Sequence, residues 1–90
     1  MKILNAKTQE TTELENTYQN IIDTISCVNK YAPKPFEFIK FKSLVQINDI
    51  NIDIDAISEI WNGDGWSRIE MHNGSSVTLY EFGKIKTFIF

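Results

Sequence analysis

WSRIEMHNGSSVTLY, residues 66–80, is the stretch on which the fold of this chain turns. Ile69 and Met71 alternate with polar residues, and so do Val77 and Leu79 after His72-Asn73-Gly74. A period of two marks strands. A three-residue loop with glycine in the left-handed position joins two such strands as a hairpin. That register sets Ile69 opposite Val77 and Trp66 opposite Tyr80. Upstream, WNGDGW (61–66) is a second glycine-rich turn, flanked by tryptophans. Downstream, Phe82-Gly83-Lys84-Ile85 reads as a third turn, which pairs Leu79 with Phe88 and Glu81 with Lys86. One face then carries Ile69, Met71, Val77, Leu79, Phe88 and Phe90. The other carries Trp66, Tyr80, Phe82, Ile85 and Ile89. A sheet with one solvated face alternates apolar and polar residues. Two apolar faces leave one to be covered by sheet curvature, by the preceding hairpin or by another chain.

Further upstream the same period holds, with Phe36 and Phe38 pointing one way and Ile39, Phe41, Val45 and Ile47 the other, and its phase flips at Asn48-Asp49. A two-residue turn there places Ile47 opposite Ile50 and Val45 opposite Ile52. Residues 55–60 suit either a helical turn or a strand. Before Pro33 the period changes to that of a helix: Leu14, Tyr18, Ile21, Ile25, Val28 and Ala32 form one stripe. Thr12 and Glu15 make a T-x-x-E capping box, with Thr8 a competing start. Pro33 stops the helix. Residues 2–5 are a short strand or a frayed start. The expected fold is α+β, one domain over 1–90: a long N-terminal amphipathic helix at about 9–32, a linker at 33–35, and an antiparallel β-meander of five to six strands over 36–90.

The composition is that of a folded chain, with 42% hydrophobic and 12% aromatic residues. Its wealth of Ile, Asn and Lys fits a phage or an AT-rich bacterium. The net charge is −3, and residues 48–70 set six carboxylates against one arginine. An acidic stretch repels phosphate and attracts basic partners. Cys27 is the sole cysteine, which excludes an internal disulfide and fits a reducing compartment. On the helix it is expected to act as a small buried hydrophobe. With no apolar run of signal-peptide or transmembrane length, the expected location is the cytoplasm.

No motif points to catalysis or to a cofactor. NDINIDIDAISE (48–59) places oxygens at positions 1, 3, 5 and 7 of a calcium loop begun at Asp49. However, Ile54 stands where that loop needs glycine, and Ile60 where it needs glutamate. Glycines 63 and 65 lack the lysine-bearing helix of a phosphate loop. Asp49, Asp53 and Asp55 share one polar side of a strand, where nothing drives their pKa values apart for acid–base work. His72 lacks a second histidine for a metal site and sits at a turn.

One pattern resembles known families: Ile57-Ser58-Glu59-Ile60, a turn, Ile69-Glu70-Met71-His72-Asn73-Gly74, then Leu79-Tyr80-Glu81. It is similar to the β-meander of LytTR-type DNA-binding domains and of small flagellar FlbD-like proteins. The resemblance implies a nucleic-acid-binding regulator. Those domains use basic residues where this stretch is acidic, and the long helix has no counterpart in them.

The expected function is a non-catalytic, acidic protein-interaction module acting by stoichiometric binding, of the kind used by phage or bacterial inhibitors. Its partner is another protein with a basic surface, met by Asp49, Asp53, Asp55, Glu59, Trp61, Asp64, Trp66 and Tyr80. Tryptophans are enriched in binding hot spots, although they also stabilise hairpins. Two alternatives remain. One is a homo-oligomer holding a small ligand on Trp61, Trp66 and Tyr80. The other is nucleic-acid binding through Lys34, Lys40 and Lys42.

Overall fold

The N-terminal segment folds back before any helix begins. Asn5 Oδ1 accepts the backbone N–H groups of Lys7 and Thr8, at 2.9 and 3.0 Å. A side chain bonded to the backbone ahead of it in this way starts a turn. Gln9 completes the reversal at φ 63°. Strand β1 (Lys2–Asn5) then pairs antiparallel with β2 (Thr11–Glu13). Thr11 and Thr12 are β-branched and suit a strand better than a helix.

The helix expected over 9–32 is therefore much shorter. Thr17, not Thr12, caps it: Thr17 is extended (φ −121°, ψ 152°) and its Oγ1 accepts the Asn20 N–H at 3.1 Å. Helix α1 (Tyr18–Ile25) passes into a 3-10 turn over Ser26–Asn29. The computed structural model describes residues 1–30 and 32–90, so the expected passage of the helix through Tyr31 lies outside the described residues. Of the periodic stripe, Ile21, Ile25 and Val28 are fully buried. Half-buried Tyr18 donates its hydroxyl to Phe38 O at 3.0 Å. Thr17→Ala is expected to cost about 0.5–2 kcal/mol. Urea unfolding measures this, and an unchanged midpoint would show that the cap contributes nothing.

The α+β assignment is corrected with the helix. The chain is mostly β: among the described residues, nine strands in two sheets hold 46% of it, beside one short helical stretch. Strands β3 (Phe38–Phe41), β4 (Leu44–Ile47) and β5 (Ile50–Asp53) make an antiparallel three-stranded sheet. Strands β6 (Ile57–Gly63), β7 (Trp66–Met71), β8 (Ser76–Tyr80) and β9 (Ile85–Phe88) join β1 and β2 in a six-stranded sheet of order β2-β1-β6-β7-β8-β9. Only the β1–β6 pairing in it is parallel. Residues 55–60 are both of the expected things: a 3-10 turn at Ile54–Ala56, started by Asp53 Oδ1 accepting the Asp55 N–H, and then β6.

Two turns fall as the alternation demands. Ile47 pairs with Ile50 and Val45 with Ile52, across a reversal in which Asn48 takes φ 52°. Gly74, at φ 90°, closes the 72–74 loop and sets Ile69 opposite Val77 and Trp66 opposite Tyr80. The third turn does not. Glu81–Gly83 forms a 3-10 turn in which Phe82 (φ 73°) and Gly83 (φ 84°) are left-handed, and Tyr80 N–H donates to Lys84 O at 2.8 Å. The chain reverses sooner than expected. Leu79 therefore meets Ile85 instead of Phe88, and Lys86 meets Thr78 instead of Glu81. Ile85 joins the inner face and Phe88 moves to the outer one.

The two sheets and the helix share one core. Across the inner face of the larger sheet runs a row of Ile3, Ile60, Ile69, Val77 and Thr87, each opposite the next. Ile60 and Ile69 are fully buried, together with Val45 and Ile47 from the smaller sheet. A bulge between Ile57 and Glu59 leaves Ser58 unpaired, which lets Ile57 and Ile60 face the core from an odd spacing. Beneath α1 the inner face is polar. Ser67, fully buried, donates to Asn62 Oδ1 at 2.5 Å, and Asn62 Nδ2 donates to Thr24 O at 2.9 Å. Cys27 is not the buried hydrophobe expected. It is exposed, with its sulfur 3.7 Å from Ser67 Oγ.

Candidate functional site

The outer face of the six-stranded sheet is built by the same registers that build the core. Three rows cross it. Gly63, Trp66 and Tyr80 lie at one end. Leu4, Trp61, Arg68, Thr78 and Lys86 form the middle row, and Lys2, Glu59, Glu70, Ser76 and Phe88 the third. The corrected β8–β9 register matters here. It brings Lys86 onto this face in place of Ile85 and Ile89, beside Arg68, Glu70, Ser76 and Thr78, so the face is mixed and not the second apolar face expected.

The middle row is locked by local contacts. Trp61 Nε1 donates to Glu59 Oε2 at 2.9 Å. The Arg68 guanidinium lies over the Trp61 ring, 5.3 Å from its centroid. Such a contact contributes about 0.5–1 kcal/mol at an exposed site. Arg68 Nε also lies 3.0 Å from Glu70 Oε1, an ion pair by distance. The N–H is not aimed at that oxygen, so Nε makes no hydrogen bond despite its burial. With side chains about a third exposed, this pair adds at most about 1 kcal/mol. On the far side Lys86 Nζ sits 6.0 Å from the Tyr80 ring centroid. Between them Trp66, Arg68, Thr78 and Tyr80 line an open depression of about 200 Å³.

Trp66 owes its place to a glycine. A Cβ added at Gly63 would lie 2.2 Å from Cε2 and Nε1 of the indole, so the ring rests on bare backbone. Aromatic rings often cover strand glycines in this way.

Four of the eight residues expected to meet a partner converge on this face: Glu59, Trp61, Trp66 and Tyr80. Asp64 stands at its rim in the β6–β7 turn, exposed and 3.6 Å from Lys7 Nζ. Asp49, Asp53 and Asp55 are not brought here. Asp49 is exposed beside the β4–β5 reversal, and Asp53 and Asp55 belong to the end of β5 and the turn after it. The 3-10 turn and the bulge redirect the chain between them and Glu59. Arg68 was missed. Its signal was present, since it is the only arginine in the chain and the hairpin register places it beside Trp66 and Tyr80 on the outer face.

Among the described residues, no group of three or more His, Cys, Asp or Glu side chains could hold a metal ion. No described helix is long and apolar enough to cross a membrane. No family model, no curated protein and no solved structure matches this chain.

Proposed function

We propose that this chain is a non-catalytic interaction module that binds another protein stoichiometrically through the outer face of its six-stranded sheet. The observation that carries this reading is the locked pair of Trp61 and Arg68 beside Trp66, Thr78 and Tyr80. Binding hot spots favour tryptophan, tyrosine and arginine near the centre of a patch. Here these side chains stand on rigid strands and are held by one another, so little rotamer freedom is left to lose on association. Glu59 and Asp64 at the margin favour a partner with basic groups at its rim, where charge steers encounter more than it adds affinity.

Trp66→Ala and Arg68→Ala test the reading. Each is expected to weaken binding by about 30-fold or more, the roughly 2 kcal/mol of a hot spot, with the far-UV spectrum unchanged. The measurement is competitive capture from host lysate, followed by titration of the captured protein. Equal capture by the parent and both variants would rule this face out.

A further inference from the structure

We propose that two copies of this chain join edge to edge through β9, antiparallel, about a two-fold axis at Thr87. Among the described residues strand β9 pairs with β8 alone, so its second edge has no strand hydrogen-bonded to it. Open edges are templates for pairing and are usually protected by proline, bulges or charge. This one carries no proline or bulge and a single charge, Lys86, and the two most exposed large apolar residues described, Ile89 and Phe90, follow it. Phe88 is 59% exposed, Ile89 84% and Phe90 86%.

The tail is already ordered. Phe90 N–H donates to Ser75 Oγ at 3.1 Å, and its ring lies against the backbone of Gly74. Pairing would not have to order a loose segment.

The backbone has the right phase. Lys84 O accepts from Tyr80 N–H, so residue 84 faces β8. Alternate residues of a strand direct their backbone groups to opposite sides. Ile85, Thr87 and Ile89 therefore turn theirs outward. An axis at Thr87 pairs Thr87 with its own copy and Ile85 with Ile89. The side chains agree with this register. Lys86 falls opposite Phe88 of the second copy and Lys84 opposite Phe90, so each cation meets a ring. An axis at Lys86 would instead set two lysines face to face, which is unfavourable.

The area sets the strength. At about 200 Å² per ring, the two phenylalanines expose roughly 300 Å² per copy. With Ile89 and the strand itself, a pair of copies has at most about 1,000 Å² to bury, the size of a weak interface. This inference is independent of the function proposed above, since edge pairing engages only Lys86 and Phe88 of the outer face and leaves Trp61, Trp66, Arg68 and Tyr80 open.

Sedimentation of the full chain decides it. At roughly 100 µM, above the micromolar Kd of a small interface, the parent is expected at twice 10.4 kDa. Thr87→Pro removes an outward N–H and spares the β8 ladder. Ile89→Lys adds a charge to the edge. Both variants are expected to keep the parent's near-UV spectrum and to raise the dimer Kd, read from a dilution series, about 30-fold or more. Should Thr87→Pro fail to fold, Ile89→Lys alone decides. A monomeric parent, or a dimer indifferent to Ile89→Lys, overturns the proposal.

Discussion

Ile69→Ala is expected to lower the stability of this protein by about 2–5 kcal/mol. Ile69 is fully buried at the centre of the inner row, with Ile60 on one side and Val77 on the other. Both neighbours sit on strands paired at both edges, so the site cannot collapse around the missing atoms. The loss then includes a cavity term besides the transfer of the side chain from water. A domain of this size has about 5–13 kcal/mol in total, so a large share of it would go. At a slope of about 1–3 kcal/mol per molar urea, the unfolding midpoint should fall by roughly 1–2 M. Ile89→Ala is the control. That side chain is 84% exposed, and its loss from the isolated protomer should stay within about 0.5 kcal/mol. If the two variants proved equally stable in dilute solution, the inner row would not be the core.

Gly63→Ala is expected to cost about 1–3 kcal/mol, as overpacking does. The cause is unusually clean. The backbone of Gly63 is not among the left-handed glycines, so alanine is allowed there. The obstacle is the Trp66 indole alone, 2.2 Å from where the methyl would sit. The ring must swing off the strand, and tryptophan emission should shift as it does. In a Trp66→Ala background the same change should be neutral or stabilising by about 0.5–1 kcal/mol, since glycine weakens a strand. The double-mutant cycle should therefore show a coupling of about 1.5–3 kcal/mol. Equal costs in both backgrounds would mean that Trp66 does not rest on Gly63. The same variant should weaken partner binding, because the displaced ring belongs to the proposed face.

What the sequence disclosed depended on the range of the interactions involved. The turns at Asn48-Asp49 and His72–Gly74 were legible because their chemistry is local: a residue that accepts positive φ, between two runs of fixed phase. The turn at Glu81–Gly83 was not, because it forces Phe82 into φ 73°, a conformation no bulky residue advertises. That one turn misplaced Ile85 and Phe88 and put Ile85 and Ile89 on the outer face where Lys86 belongs. The helical stripe had the right phase at Ile21, Ile25 and Val28. Its extension to Leu14 was a coincidence of spacing, overridden by the pairing of β1 with β6 and by Asn16, whose Nδ2 donates to Ile54 O and Ile57 O. Nothing near residue 16 announces partners so far along the chain. Within the candidate site, the aromatic residues were legible from the hairpin register. Arg68 was legible from the same register as a neighbour of Trp66 and Tyr80, and only its contact with Trp61 needed the β6–β7 pairing.

The parallel pairing of β1 with β6 also sets an order of events during synthesis. Lys2 lies opposite Glu59 and Asn5 opposite Asn62, with α1 and the whole three-stranded sheet intervening. Contacts this distant in sequence close late, because the chain between them must first lose its freedom. The β3–β5 and β6–β8 hairpins can form from neighbouring residues as they emerge. The β1–β2 hairpin is made before them and must wait for a partner made long afterwards. Until residue 62 has left the ribosome, one edge of β1 has nothing to pair with. The vulnerable species is thus a nascent chain in which β1 is paired with β2 on one edge and open on the other.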